Sequence, residues 1–174
     1  VTLAALHSDP RAFSAVILEA AGFGSATQAE REAAAKRDAA CATRLRADGL
    51  EAFMDFWEQL PLFASQRDLP PDVRERLRAG RMANDAEALA RTFEQAGQHV
   101  MPSRAETLET LAVLRAGGTP LLYLAGERDE KYRVLAAQAA EAGAVMRVVP
   151  GAGHNAHLEA PAAFVQEVSL FLGE

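Results

Sequence analysis

Two side chains that could act as an acid and a base stand directly after two apolar segments of this sequence. Asp129 follows the run Pro120–Ala125, and His154 follows the run Val145–Val149. Short apolar runs bounded by glycine are typical of strands buried on both faces. A helical segment separates them, and parallel strands joined by a helix lie about 5 Å apart. We therefore expect the two loops to be neighbours, at the sheet edge where open α/β proteins hold their sites.

The joint position of these residues, rather than either one alone, points to catalysis. An aspartate in a turn is usually a helix cap, and a single histidine is usually a surface residue or a satisfied core residue. Here the acid precedes the histidine, both follow strands, and glycines surround the histidine. This pattern indicates the acid and base of a nucleophile–histidine–acid triad. The glycines at 151 and 153 are expected to allow positive φ and a close approach of the loop. Asn155 and His157 are expected to shape that loop rather than to react.

The elements that must position the pair alternate between helix and strand, except in one long stretch. A helix ends at Asp9-Pro10, a strand covers Ala15–Ala20, and the glycine-rich segment after it suits a tight strand exit. From Thr27, where Thr-x-x-Glu matches a capping box, helical patterns continue with no strand pattern up to Val100. A final amphipathic helix covers Pro161–Leu172, with Phe164, Val165, Val168, Phe171 and Leu172 expected to face inward. The order predicts a parallel sheet flanked by helices, with residues 1–25 and 100–174 as the core and residues 26–99 as an all-helical insertion.

Composition narrows the class of partner. The 174 residues suffice for one domain with a core, and the net charge of −6 argues against nucleic acid and anionic membranes as partners. No apolar stretch approaches the length of a membrane span. The single cysteine, Cys41, excludes an intrachain disulfide and suits the cytoplasm. Neither CxxC nor HExxH occurs, so we predict no metal site.

The order of acid and histidine resembles the C-terminal part of the α/β-hydrolase fold, whose order is nucleophile, acid, histidine. That fold implies that the helical insertion is a lid over the sheet's carboxyl edge, although a helical subdomain without a site role also fits the pattern. No serine here stands in a G-x-S-x-G pattern, and the sequence opens at Val1 inside what resembles an amphipathic helix. We therefore expect the nucleophile to lie in upstream sequence and the 174 residues alone to have no turnover.

Several segments are more specifically similar to the 2-succinyl-6-hydroxy-2,4-cyclohexadiene-1-carboxylate synthases of menaquinone biosynthesis. They are AGERDEKY at 125–132, GAGHNAHLE at 151–159, FWEQLPLFAS at 56–65 and RMAN at 81–84. The resemblance implies a lyase that eliminates pyruvate from a succinyl-enolpyruvyl cyclohexene carboxylate, with the triad removing a ring proton. It implies Asp129 and His154 as catalytic residues, without metal or cofactor, and a small polycarboxylate as substrate.

The same resemblance implies substrate-binding residues in the helical insertion. Arg81 matches a family arginine, and Trp57 and Phe63 match apolar pocket residues, for which simple lid packing is the alternative. A second family arginine aligns with Ala34, and Arg31, Lys36 or Arg37 could stand in for it. Arginine suits such a substrate because its planar guanidinium binds a carboxylate through two hydrogen bonds.

Two other functions fit the same pattern. An esterase or a carbon–carbon bond hydrolase of this fold uses the same aspartate and histidine on an ester or ketone. An inactive truncated paralogue fits the missing nucleophile pattern. Oligomeric state is not determined by any of these features.

Overall fold

The computed structural model describes residues 2–173 of the chain, which form eight α-helices and three β-strands in that range. Two 3-10 segments, Pro61–Asp68 and Gln98–Val100, accompany them. In chain order the elements are α1 (Thr2–Ser8), β1 (Val16–Glu19), α2 (Gln28–Trp57), α3 (Pro71–Met82), α4 (Ala86–Ala96), α5 (Arg104–Ala116), β2 (Leu121–Gly126), α6 (Glu130–Glu141), β3 (Val145–Val149), α7 (Ala156–Glu159) and α8 (Pro161–Leu172). Within this range no helix combines the length and apolar character needed to cross a membrane.

The chain divides into two compact units, and the first contains the sheet. It comprises Val1–Phe23 and Arg104–Glu174. Its three strands are parallel in the order β1-β2-β3, with Val16 paired to Leu121 and Leu122 paired to Val145. The central strand β2 is buried along its whole length, as its continuous apolar sequence requires. The predicted parallel sheet flanked by helices is therefore confirmed.

Helix α8 packs against one face of this sheet through only part of its predicted apolar face. Phe164, Val168 and Phe171 pack against the cluster formed by Leu122, Leu124 and Val149 with Ala152 and Ala156. By contrast, Val165 and Leu172 are exposed, so their predicted inward orientation is wrong. Helical periodicity identifies the direction of an apolar face, but the width of the surface that receives it decides which flanking residues are covered.

The second unit, Gly24–Ser103, contains α2, α3 and α4 together with both 3-10 segments. Thr27 caps α2 by accepting the Glu30 N–H, as the capping-box pattern predicts. Gly49, whose φ of +81° and ψ of 173° are readily adopted only by glycine, interrupts α2. The described residues of this unit contain no strand. The function of this helical unit as a lid, and the boundaries at 25/26 and 99/100, stay predictions.

The two ends of the helical unit meet at a glycine. Gly24 has φ +77°, and a Cβ built on it would overlap the backbone carbonyl oxygen of Pro102. Only glycine combines this left-handed conformation with so close a backbone approach. The segment that leaves β1 is therefore in contact with the segment that leads into α5.

Candidate active site

Asp129 and His154 are brought into direct contact within the first unit. Strand β2 ends at Gly126, which pairs with Val149 at the end of β3, so both loops leave the same edge of the sheet. Asp129 Oδ2 lies 2.8 Å from His154 Nδ1, and the two side chains are 6% and 17% exposed. The expected proximity of the two loops is thus found, with hydrogen-bond geometry between the side chains.

Asp129 uses its two carboxylate oxygens for different tasks. Oδ1 accepts the backbone N–H of Tyr132 at 3.3 Å and caps the first turn of α6, whereas Oδ2 contacts His154. Capping favours this orientation of the carboxylate, because it satisfies an N–H group in the first turn of the helix that would otherwise lack an intrahelical partner. Asp129 is therefore both a helix cap, which is the usual role of an aspartate in a turn, and the hydrogen-bond partner of His154.

A glycine on the neighbouring strand allows the histidine loop to approach. A Cβ on Gly126 would overlap the carbonyl oxygens of Gly153 and Ala152. Of the two loop glycines, Gly151 has φ +71° as expected, whereas Gly153 is not among the described glycines with positive φ. The close approach therefore depends on the missing side chain at 126, and the role of Gly153 stays a prediction.

Tyr132 is a contact of His154 that the sequence does not reveal. Its ring centroid lies 4.6 Å from that of His154 with a 47° angle between planes, and the residue is 4% exposed. Burial, and secondly the charge of Asp129, raise the pKa of the Tyr132 hydroxyl, so it stays a neutral phenol near neutral pH. The sequence feature that could have indicated this contact is the position of Tyr132 three residues after Asp129, in the first turn of α6.

Glu127 and Glu19 each accept a hydrogen bond from a backbone N–H near the histidine loop. Glu127 Oε2 accepts the Gly151 N–H at 2.8 Å. Glu19, the last residue of β1, accepts the His157 N–H at 3.0 Å and contacts His157 Nδ1 at 2.7 Å. These contacts give His157 the loop-shaping position that the sequence predicts for it.

The arrangement of Asp129 and His154 suits proton transfer. When His154 Nδ1–H donates to the carboxylate, the lone pair lies on Nε2, which can then take a proton from a hydroxyl or from carbon. The nearby carboxylate stabilises the imidazolium that this step creates. Among the described residues, no group of three or more His, Cys, Asp or Glu side chains could hold a metal ion.

Arg81 and Phe63, two of the predicted substrate-binding residues, lie together in the helical unit. The Arg81 guanidinium carbon is 5.2 Å from the centroid of the Phe63 ring. The guanidinium donates to Glu58 at 2.9 Å and to Gln66 at 2.6 Å, and its side chain is 19% exposed. These residues line one cavity of about 550 Å³ that also contains Arg67, Arg74 and Arg78.

Trp57 contacts Phe63 but lines a different cavity. The ring centroids of Trp57 and Phe63 are 5.8 Å apart, and Trp57 also stacks on Phe53 at 5.6 Å. Its cavity, of about 540 Å³, is lined by Arg37 as well. Arg31, another alternative for the second family arginine, instead donates to the backbone carbonyls of His99 and Met101.

The chain is similar to known proteins over most of its length. Residues 2–167 match the profile of the Alpha/beta hydrolase family. The 2-succinyl-6-hydroxy-2,4-cyclohexadiene-1-carboxylate synthase of Serratia proteamaculans is 36% identical over 168 residues, which are 97% of this chain and 61% of that protein. The structure of MenH from S. aureus matches with a TM-score of 0.86 and 29% identity, over 92% of this chain and 59% of that one.

A thermophilic esterase from Thermogutta terrifontis matches at the level of the fold alone. Its TM-score is 0.76 with 21% identity, covering 99% of this chain and 60% of the esterase. This chain spans about three fifths of the length of the curated relatives that it matches.

Proposed function

Because this chain belongs to the Alpha/beta hydrolase family, we propose that it carries the acid and the base of a 2-succinyl-6-hydroxy-2,4-cyclohexadiene-1-carboxylate synthase. The proposed reaction is the elimination of pyruvate from a succinyl-enolpyruvyl-hydroxycyclohexene carboxylate. The observation that supports it most directly is the 2.8 Å contact of Asp129 with His154, on a carboxylate fixed by its cap of α6. The similarity to the Serratia synthase over nearly the whole chain supports this choice of substrate.

In the proposed mechanism, His154 Nε2 takes the proton of a serine hydroxyl, and the resulting alkoxide removes a ring proton of the substrate. Electrons from the broken C–H bond form the new ring double bond, and the bond from the ring to the enolpyruvyl oxygen breaks. The leaving enolate oxygen takes the proton that His154 holds, which returns His154 to its neutral form, and the enol that is released converts to pyruvate. Asp129 keeps His154 in the Nδ1–H tautomer and stabilises its imidazolium form. No serine within these 174 residues stands in a G-x-S-x-G pattern. The mechanism therefore requires a serine hydroxyl within hydrogen-bond reach of His154 Nε2 without assigning it a residue number.

Arg81 is proposed to bind a substrate carboxylate, with Phe63 and Trp57 packing against the ring. The structure leaves Arg81 only part of its hydrogen-bonding capacity, since Glu58 and Gln66 accept from two of its five N–H groups. Those two contacts hold the guanidinium plane in one orientation. A fixed guanidinium loses less entropy when it forms a bidentate pair. Its positive charge and forked donors favour a carboxylate ligand over a neutral ester. Of the alternative cations in α2, we favour Arg37, because it lines the cavity of Trp57.

Activity of the complete gene product that carries this chain tests the proposal. We expect release of pyruvate from the succinyl-enolpyruvyl substrate, which a coupled lactate dehydrogenase assay measures. We expect little hydrolysis of nitrophenyl acetate. His154→Ala provides the matched inactive control for both assays. Efficient ester hydrolysis without pyruvate release would identify an esterase instead, and loss of both activities would identify an inactive relative. We further propose a cytoplasmic enzyme, where the free thiol of Cys41 stays reduced.

A further inference from the structure

The backbone on both sides of His154 is bound by a single carboxylate. Glu159 Oε2 accepts the Gly153 N–H at 2.7 Å, and Glu159 Oε1 accepts the Asn155 N–H at 3.1 Å. Both oxygens of one side chain therefore receive the N–H groups that flank the histidine. Hydrogen bonds from N–H groups to an ionised carboxylate are shorter and about twice as strong as those between neutral groups.

The short helix α7 places Glu159 for this task. Side chains on a helix point back toward its N-terminus, so a residue in the first turn can reach the backbone that precedes the helix. Glu159 is the last residue of α7, and Asn155 directly precedes that helix. The sequence between them thus folds back on itself, and His154 lies between the two N–H groups that the carboxylate binds.

The histidine ring is consequently fixed from two directions. Its backbone is bound through Glu159, and its Nδ1 is bound by Asp129, whose own orientation is set by the cap of α6. A shift of the loop would lengthen the 2.8 Å contact between Asp129 and His154 even if both side chains were intact. Small displacements of a catalytic group are costly, since a misplacement of about 1 Å can lower a rate by about 10²-fold.

We propose that Glu159 is a positioning residue, which holds His154 in register with Asp129 through the two flanking N–H groups. The inference rests on the proposed function only in taking the Asp129–His154 pair as the one that reacts. Glu127 offers a matched control, because it is also a glutamate that accepts a backbone N–H in this loop. That N–H belongs to Gly151, which is not adjacent to His154 in the sequence.

The test compares Glu159→Gln with Glu127→Gln in the complete gene product. A glutamine at 159 can accept from only one of the two N–H groups with its oxygen, while its NH₂ group faces the other donor. We expect kcat to fall by about 10- to 100-fold with KM changed less than about threefold, since the loss is one of geometry at the reacting group. Glu127→Gln should leave kcat within about twofold of the wild type, because the glutamine oxygen can still accept the single N–H, that of Gly151, which Glu127 binds.

Proton NMR of protein with ¹⁵N-labelled histidine gives a readout that a merely structural role would not change. The His154 Nδ1 proton, shifted downfield by its bond to Asp129, should move or broaden in Glu159→Gln and stay in place in Glu127→Gln. If Glu159→Gln is too unstable to study, Glu159→Asp, which shortens the reach of the carboxylate by one methylene, should show the same displacement.

Two outcomes would overturn the inference: an unchanged Nδ1 proton in both Glu159 variants, or a wild-type kcat in a folded Glu159→Gln enzyme. The proton signal depends on no substrate. A protein that hydrolyses esters instead of releasing pyruvate would therefore refute the proposed function, while the role of Glu159 could still be read from the same spectra.

Discussion

Asp129→Asn is the most informative substitution, because the structure assigns each carboxylate oxygen a different donor. The asparagine has one oxygen and one NH₂ group, so it can satisfy either the Tyr132 N–H or the Nδ1–H of His154, but not both. If its oxygen keeps the helix cap, its NH₂ group faces Nδ1 and forces the proton of His154 onto Nε2. In that tautomer Nε2 cannot accept a proton.

The competing orientation costs more. If the asparagine oxygen turns toward His154, its NH₂ group faces the buried Tyr132 N–H, and that donor loses its partner at a cost of about 1–3 kcal/mol. This cost corresponds to a preference of roughly 5- to 150-fold for the unreactive tautomer. Loss of the negative charge beside the imidazolium adds about 4 kcal/mol at about 4 Å and an effective dielectric constant of about 20, or roughly 10³-fold. We therefore expect kcat to fall by about 10⁴-fold or more.

The assay is kcat of the complete gene product, with a melting curve to verify folding. Asp85→Asn is the matched control, because Asp85 caps α4 by accepting the Ala88 N–H at 2.8 Å with no histidine nearby in the described contacts. Asparagine and aspartate are similar as helix caps, so this variant should keep both its melting temperature and its kcat. A kcat of Asp129→Asn within threefold of the wild type would show that another acid orients His154, and the assignment of the pair would be refuted.

Three further substitutions test other parts of the site. His154→Ala should reduce kcat by on the order of 10⁶-fold, as the loss of a triad histidine does, and residual pyruvate release above 1% of wild type would contradict its role. Arg81→Ala should lower kcat/KM toward the polycarboxylate by roughly 10- to 150-fold, with partial recovery in Arg81→Lys; an unchanged kcat/KM would refute carboxylate binding. Its melting temperature should also fall, because Glu58 and Gln66 lose a partner. Gly126→Ala should displace the histidine loop and lower both kcat and stability, whereas Gly80→Ala, where an added Cβ meets nothing within 4 Å, should leave kcat unchanged.

The parts of the structure that follow from local pattern were predictable. The runs around 121–126 and 145–149 are apolar, short and separated by a helical segment, which determines their parallel pairing and brings Asp129 and His154 to one edge. The cap at Thr27 and the interruption of α2 at Gly49 also follow from residue types at fixed positions. These features were predictable because each depends on residues that are close together in the sequence.

The contacts that complete the site depend on distances that no local pattern encodes. Gly126 and Gly153 are distant in sequence, and their close approach appears only when the strands are in register. Arg81 bonds to Glu58 and Gln66, which are 23 and 15 residues away, so the sequence could identify the arginine but not its partners. The same reason explains why Tyr132 was missed.

The contact of Gly24 with Pro102 has a practical consequence for protein engineering. A segment that departs and returns at one point can in principle be exchanged as a cassette, since its removal leaves ends that a short linker can join. The contacts described for Asp129 and His154 all come from residues outside this cassette. If Arg81 and Phe63 bind the substrate as proposed, transplanting the corresponding helices of a relative between Phe23 and Arg104 is expected to alter substrate preference while conserving Asp129 and His154. Substrate selection and proton transfer would then be separate targets for design.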